Sequence, residues 1–390
     1  MRILLAFDKF KDALTAPAAC AAAAAALREA HPEWALDSCP LTDGGEGFCE
    51  ILTHAVGGEI ETHVVTGPRG APTRAQLGFA PIKNLPAPAR ALLGLGDDTG
   101  DHRIAIVEMA AASGLALLPS GQRDPWRTTS LGTGELLRLA ARPGVALILL
   151  GVGGSATSDL GLGALSALGL ECRTGAGELV SPPIPARWPE IVRFTGQVAD
   201  GLPPIRIACD VANPLLGPTG AAAVYGPQKG LRAADLPRLD HEAARLALLL
   251  CHHGGQSDAL MDLPGTGAAG GISFGLMATA GAQLLPGFDL VTAWLGLEAR
   301  LATADLVLTG EGRFDQSSLS GKGPGAVALR ARALAKPAHV FAGAVTAPPS
   351  ADAGLALHAI TPAGMPLAEA LRDAGRLLTS AVRTTFSAPR

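Results

Sequence analysis

The chain is poor in aromatic residues, which make up 4% of it, with a single tyrosine. Its cores must therefore be built from Ala, Leu, Val and Ile. Charged residues reach only 17% and are scattered, which excludes a disordered acidic or basic chain and a coiled coil. The formal charge of −4 at neutral pH lacks the basic excess of a dedicated nucleic-acid binder. No apolar run is long enough for a bilayer. The longest, Ala18–Leu27 and Val145–Val152, fall short of the roughly 18–20 residues required. Met1–Phe7 runs directly into Asp8 and Lys9, so no signal-peptide h-region fits there. The six cysteines are far apart and form no CxxC pair. They read as reduced, mostly buried thiols of a cytoplasmic protein.

Familiar catalytic signatures are also missing. Gly321-Lys322 is followed by Gly323, so there is no Walker A loop. The kinase HRD and DFG signatures are absent. The histidines form no HExxH or Cys/His zinc pattern, and Ser155 does not sit in GxSxG.

What is present is glycine, 49 residues, and proline, 30, in a chain of 390 that is 48% hydrophobic. That length suggests two domains, possibly three. Lysine is scarce: six against 25 arginines. Lys9, Lys11, Lys229 and Lys322 lie in acidic or Gly-rich turns, where a compact ammonium serves differently from a planar guanidinium.

The strand-like run Arg2–Phe7 precedes an Ala-rich helix that Thr15 caps, with Pro17 in its first turn and an end near His31-Pro32. A second strand is predicted over 35–41, followed by a helix after Gly47. This βαβα rhythm marks a mainly parallel sheet with helices on its faces. Further strands are predicted over 61–65, 73–79, 104–109, 145–150, 205–209, 305–308 and 339–342. Helices are predicted over 133–142, 161–170, 236–250 and 367–379, and Gly265–Gly271 opens an apolar helix that runs through Ala280. The segment 84–100 reads as an exposed loop. The first and last segments share one rhythm, so the expected division is a discontinuous domain, 1–66 with 286–390, and an inserted domain, 67–285.

Several apolar strands end in polar turns, and ligands of open α/β sheets bind outside the carboxyl ends of strands. Asp8-Lys9-Phe10-Lys11 supplies a carboxylate and two amines. Gly151–Asp159 follows a strand and precedes a helix; it is either a phosphate cradle, through Gly153, Gly154, Ser155 and Thr157, or a tight turn with hydroxyl caps. Asp43 and Glu46, three apart in a glycine turn, suit a metal or a hydroxyl, or a capping box. Asp210 follows a strand and is a functional carboxylate or an Asx-turn. Lys229, in Gly226–Gly230, is a loop charge or a phosphate contact. Gly265, Gly267 and Gly270 form GxGxxG without a strong strand before it, so a dinucleotide site is disfavoured; a phosphate loop and a packed helix start remain. Glu311, Arg313 and Asp315 complete the set. Carboxylates, amines, hydroxyls and glycine loops together suit an anionic substrate plus a metal-bound polyphosphate.

In order along the chain, these turns resemble the type-1 glycerate kinase family. The matching stretches are Asp8-x-x-Lys11, Asp43–Gly47, Glu108–Gly114, Arg123-Asp-Pro125, Thr129–Gly134, Gly151–Thr157, Cys209–Pro214, Gly226–Gly230, Pro264–Gly271, and Thr309–Arg313 with Asp315 and Lys322. The resemblance implies two α/β domains, one flavodoxin- or Rossmann-like and one mixed. It implies phosphoryl transfer from ATP, with Mg²⁺, to D-glycerate, usually giving 2-phosphoglycerate. On this basis Asp210 or Asp8 is the expected base, and Lys11 is the catalytic cation that balances phosphate or the substrate carboxylate. Asp43, Glu311 and Asp315 are the metal candidates. Gly153, Gly154, Ser155, Thr157, Lys229, Gly267, Gly270, Arg313 and Lys322 are the phosphate and substrate contacts. No nucleic-acid or membrane partner is expected, and monomer and homodimer stay open. Two alternatives are an NAD-linked oxidoreductase using Gly265–Gly270 and a non-catalytic sensor of phosphorylated metabolites. The chain departs from the family pattern at Lys9, where Ser is common, and at Leu160, where Gly is common. Leucine resists a positive φ, so a different local turn is expected there.

Overall fold

The computed structural model describes residues 1–96, 100–319, 323–346 and 355–387. It divides into two units, Met1–Asp43 with Val291–Arg390, and Gly44–Leu290. The sequence division had placed 44–66 with the terminal segments. Here Glu59–Thr66 pairs antiparallel with Pro72–Pro81, and this ladder holds the segment in the second unit.

The first unit is a five-stranded, wholly parallel sheet. Its order is Ala356–Ala359, Ala338–Val345, Leu306–Phe314, Arg2–Phe7, Ala35–Ser38. Counted in chain order within the unit, that is 2-1-3-4-5 read from the Ala35–Ser38 edge, the flavodoxin-like order. Strand alternation sorts the side chains. Ile3, Leu5 and Phe7 share a core with Ala19, Ala23 and Leu27 of helix Ala16–Ala30 and with Leu377, Leu378 and Val382 of helix Ala374–Phe386. Val340 and Ala342 pack with Phe314 and with Ala328 of helix Gly323–Ala333. Thr15 Oγ1 accepts from Ala18 N at 3.3 Å, so the predicted cap forms.

Strand Leu306–Phe314 differs from its prediction. The sequence predicts a strand over 305–308 ending in a polar turn that carries Gly310 and Gly312. Segment 309–314 instead continues the ladder, with Glu311 opposite Ala342 and Arg313 opposite Ala344. Gly310 has a packing reason, since a Cβ there would lie 1.9 Å from the Phe341 carbonyl oxygen. Pairing with Ala338–Val345 overrides weak β propensity.

The second unit is a mixed six-stranded sheet. Its order is Gln283–Leu285, Ile205–Ala208, Val145–Gly151, Arg103–Glu108, Pro72–Pro81, Glu59–Thr66; the first four strands are parallel, the last two antiparallel. Val145–Gly151 is central and apolar throughout, as a strand covered on both faces must be. Its Ile148 and Leu150 lie in a core with Leu136, Leu165, Ile207, Leu246 and Phe274. The predicted loop 84–100 follows a helical turn, Ile82–Asn84, and holds a helix, Ala87–Leu93, which buries Ala89 and Leu93; residues 97–99 lie outside the described residues. The predicted helix 367–379 is two, Leu367–Arg372 and Ala374–Phe386. Among the described residues no helix is long and apolar enough to cross a membrane.

Candidate functional site

In the first unit the strand order reverses between Arg2–Phe7 and Leu306–Phe314. Ligands of such sheets bind at the carboxyl ends flanking this switch point. Phe7 is opposite Gly310, and Asp8 N donates to Gly310 O at 3.0 Å, so Asp8 follows at the level of Glu311. Lys9 N donates to Asp8 Oδ1 at 2.7 Å. Lys9 Nζ reaches Asp43 Oδ1, also at 2.7 Å. Burial first, then the Asp43 carboxylate, pushes the Asp8 carboxyl up to about 7; Lys9 opposes the rise, and Glu311 adds to it. Burial also raises Glu311, against the Ser318 hydroxyl that bonds its carboxylate, and Asp315 and Asp43 raise it further. Glu311 Oε1 is buried without a hydrogen-bond partner.

The sequence-predicted residues of this unit divide in two. Asp8, Asp43 and Glu311 form one electrostatic cluster, with Lys9 as its cation. Arg313 is exposed and turned to Thr346 Oγ1 at 3.2 Å and Asp315 at 3.5 Å. The charge of Asp315 raises Glu311, and its backbone N–H donates to Ser318 Oγ at 3.1 Å. Lys11 is exposed in the turn after the first strand. Its backbone passes so close to Gly312 that a Cβ there would sit 3.2 Å from Lys11 N. Lys322 lies outside the described residues.

In the second unit, register aligns Glu108, Gly151, Ala208 and Leu285 at one sheet edge. Asp210 follows Ile205–Ala208 there, close to Gly287, where a Cβ would meet Asp210 Oδ2 at 2.8 Å. The Gly151–Asp159 turn leaves the central strand at the same edge. It is tied down more tightly than an open phosphate cradle. Gly153 N donates to Gly44 O and Ala156 N to Ser113 O, both at 2.9 Å, so these two donors are already engaged. Gly153 is glycine because Gly45 N would lie 2.6 Å from its Cβ. Thr157 is fully buried, its hydroxyl unpartnered.

Lys229 enters this turn from inside. It is 2% exposed, and its Nζ donates to Ser155 Oγ at 3.1 Å and Thr157 O at 2.5 Å. Burial lowers it to about 7, against the attraction of Asp159. Asp159 is itself fully buried. Its Oδ2 accepts from Ser130 N at 2.7 Å, Ser130 Oγ at 2.8 Å and Gly163 N at 3.3 Å, and its Oδ1 from Gly161 N at 3.2 Å. Burial still raises its pKa.

Leu160 adopts φ 55°. The chain thus keeps the left-handed turn that leucine was expected to refuse. The Leu160 N–H bonds Gly270 O at 3.0 Å, and its side chain is buried, which holds the strained backbone in place.

The GxGxxG glycines are explained by packing. A Cβ on Gly267 would lie 2.1 Å from Pro214 O, and one on Gly270 2.1 Å from Thr157 O. The loop follows the helical turn Asp258–Asp262, not a strand, so it lacks the setting of a dinucleotide fingerprint. The sequence reading did not single out Glu108 as a site residue. Its Oε2 accepts from Gly47 N at 3.1 Å and Cys49 N at 3.2 Å, anchoring the start of helix Phe48–Ala55. An acidic residue ending an apolar strand was the available signal.

Compared with known proteins, the chain matches the model of the glycerate kinase family over residues 3–388. It is 36% identical over 392 residues to a glycerate kinase from Bacillus subtilis (strain 168), covering 98% of this chain and 96% of that one. It is 38% identical over 357 residues to a glycerate 2-kinase from Escherichia coli (strain K12), covering 89% and 86%. A crystal structure from Salmonella typhimurium LT2, provisionally named glycerate kinase 2, superposes with a TM-score of 0.75 at 39% identity, covering 99% of this chain and 97% of that one. With a family model spanning almost every residue and such relatives matched along most of their length, this chain belongs to the glycerate kinase family.

Proposed function

We propose that the protein transfers the γ-phosphoryl group of ATP to D-glycerate, giving 2-phosphoglycerate and ADP, as a cytoplasmic enzyme. The observation that carries this reading is the Asp8–Lys9–Asp43–Glu311 cluster at the switch point of the flavodoxin-like sheet. The name of the Escherichia coli relative, glycerate 2-kinase, supports the position of transfer.

Phosphoryl transfer asks the protein for alignment, charge balance and a place for the hydroxyl proton. Asp8 is the proposed base. A carboxylate held near neutrality accepts a proton far better than one at the usual 3.8 and is still half ionised at pH 7. Asp210 is the second candidate. Lys11 and Arg313, both exposed, are the proposed partners of the glycerate carboxylate or phosphate oxygens. In the second unit Gly154 and Ser155 are the proposed phosphate contacts, with Lys229 supporting the turn from within.

The residues suit a divalent cation. Glu311 Oε1 is an orphaned buried oxygen, and the charges of Asp315 and Asp43 raise its carboxyl. Among the described residues no three metal-ligating side chains are gathered into a ready site. Mg²⁺ commonly takes one or two carboxylates and completes its shell with phosphates and water. Asp43 and Glu311 would hold it, and bound there it would neutralise charge on the polyphosphate.

The test is ADP release from ATP with D-glycerate, Mg²⁺ and purified protein, with the product identified by phosphorus NMR. A 2-phosphoglycerate signal supports the reading. Folded protein that releases no ADP above the glycerate-free blank overturns it. Asp8→Asn should lower kcat at least about 100-fold while nucleotide affinity stays within a few-fold; near-normal kcat would transfer the role to Asp210.

A further inference from the structure

We propose that Arg123 recognises the glycerate carboxylate through its guanidinium fork. This rests on the proposed kinase reading and narrows it, leaving Lys11 and Arg313 to the phosphate oxygens. The observation behind it is an unmet donor. Arg123 is half-buried, and its Nε is buried without a hydrogen-bond partner. Other half-buried arginines place the same atom on protein acceptors. Arg173 Nε donates to Glu171 Oε2 and Arg245 Nε to Glu242 Oε2, both at 3.1 Å, and Arg300 Nε to Leu295 O at 2.9 Å. A buried donor left unmet is destabilising, most of all on a charged group. Such a group calls for an explanation, and a substrate anion supplies one.

Arg123 is placed beside the turn that Lys229 supports. A Cβ on Gly230, the residue after Lys229, would lie 2.3 Å from the Arg123 carbonyl oxygen and 3.4 Å from Arg123 Cβ. Lys229 Nζ in turn donates to Ser155 Oγ. The segment that Arg123 opens is fixed to the same turn by Thr128 Oγ1, which donates to Ala156 O at 3.2 Å. The adjacent carboxylate is engaged elsewhere: Asp124 Oδ1 accepts from Trp126 N at 3.1 Å, and Oδ2 lies 3.7 Å from Arg127 Nε. Nε and one Nη of an arginine form two parallel donors that match the two oxygens of a carboxylate. A Mg²⁺-bound polyphosphate keeps several waters on its metal, whereas the small planar carboxylate of glycerate suits a donor that is already enclosed.

The test is steady-state kinetics of the full chain with D-glycerate and Mg²⁺-ATP, together with thermal unfolding of each variant. Arg123→Met should raise the glycerate KM at least about tenfold, while the ATP KM stays within a few-fold. Arg123→Lys keeps the charge without the fork and should recover only part of that loss. Arg123→Met should also melt no lower than the parent, because the parent's Nε has no protein partner to lose. An unchanged glycerate KM in Arg123→Met overturns the proposal. So does an ATP KM that rises in step with it, which would give Arg123 to the nucleotide phosphates. A clear fall in melting temperature with both KM values raised would make Arg123 structural and overturn it too. Parent protein that phosphorylates no glycerate would overturn the proposed function, and this inference with it, before any variant is compared.

Discussion

Replacing Lys229 with methionine tests the reading of the second unit through pH. The folded protein holds this amine at about 7, against 10.5 for the free side chain. Between those values the unfolded chain binds the extra proton. Stability contributed at this position therefore rises with pH, at about 1.4 kcal/mol per unit. Below pH 7 both states are protonated and the full burial cost is present; above 10.5 both are neutral and it vanishes. Lys229→Met removes that dependence. It also removes the bonds to Ser155 Oγ and Thr157 O, leaving buried acceptors at a cost of about 1–3 kcal/mol each. At pH 7 relief of the buried charge offsets much of that cost. From pH 7 to pH 9 the parent should gain about 2–3 kcal/mol relative to the variant. The buried thiols, whose pKa values are also raised by burial, affect both chains equally and cancel in the difference. Urea unfolding of both proteins at pH 7, 8 and 9 reads the effect. A gap between parent and variant that is constant across this range would refute the assignment of a near-neutral, solvent-excluded amine.

Two backbone positions give further tests. At Leu160, with φ 55°, Leu160→Gly relieves backbone strain that Leu160→Ala retains, at about 1–2 kcal/mol, while both lose the buried side chain. The glycine variant should melt at the same temperature as the alanine variant or higher, inverting the usual order; a clearly more stable alanine variant would contradict this. Gly270→Ala places a Cβ 2.1 Å from Thr157 O at φ 73° and should cost about 3 kcal/mol or more, whereas Gly121→Ala, with nothing within 4 Å, should stay within about 0.5 kcal/mol. Equal unfolding free energies for those two variants would discount the packing of the 265–271 loop against the 153–159 turn.

Much of the fold was legible because period and punctuation carry it. Arg2–Phe7 and Val145–Gly151 were readable as apolar runs bounded by polar turns. Helix Ala16–Ala30 carried its own cap in Thr15 and its own stop at His31-Pro32. The failures share one cause. Segment 309–314 looks like a turn locally, and only its pairing with residues 340–345 makes it a strand. Segment 84–100 looks like a loop, and only the burial of Leu85, Ala89 and Leu93 explains its helix. In the candidate site, Asp8, Asp43 and Glu311 were recognisable as chemistry-bearing residues at turn positions. Their mutual influence was not, because sequence separations of 35 and 268 residues say nothing about distance.

By itself, the sequence determined which residues are available for chemistry, the βα rhythm and the ordered series of turns that resembles one kinase family. Those properties are local or depend only on order along the chain. Tertiary structure alone decided what each candidate does with its neighbours. It turned Lys229 inward, where burial lowers its pKa to about 7. It spent the Gly153 and Ala156 donors on Gly44 and Ser113. It set Lys9 against Asp43. Desolvation, hydrogen-bond partnership and charge proximity are properties of three-dimensional surroundings, and residue identity supplies only the groups on which they act.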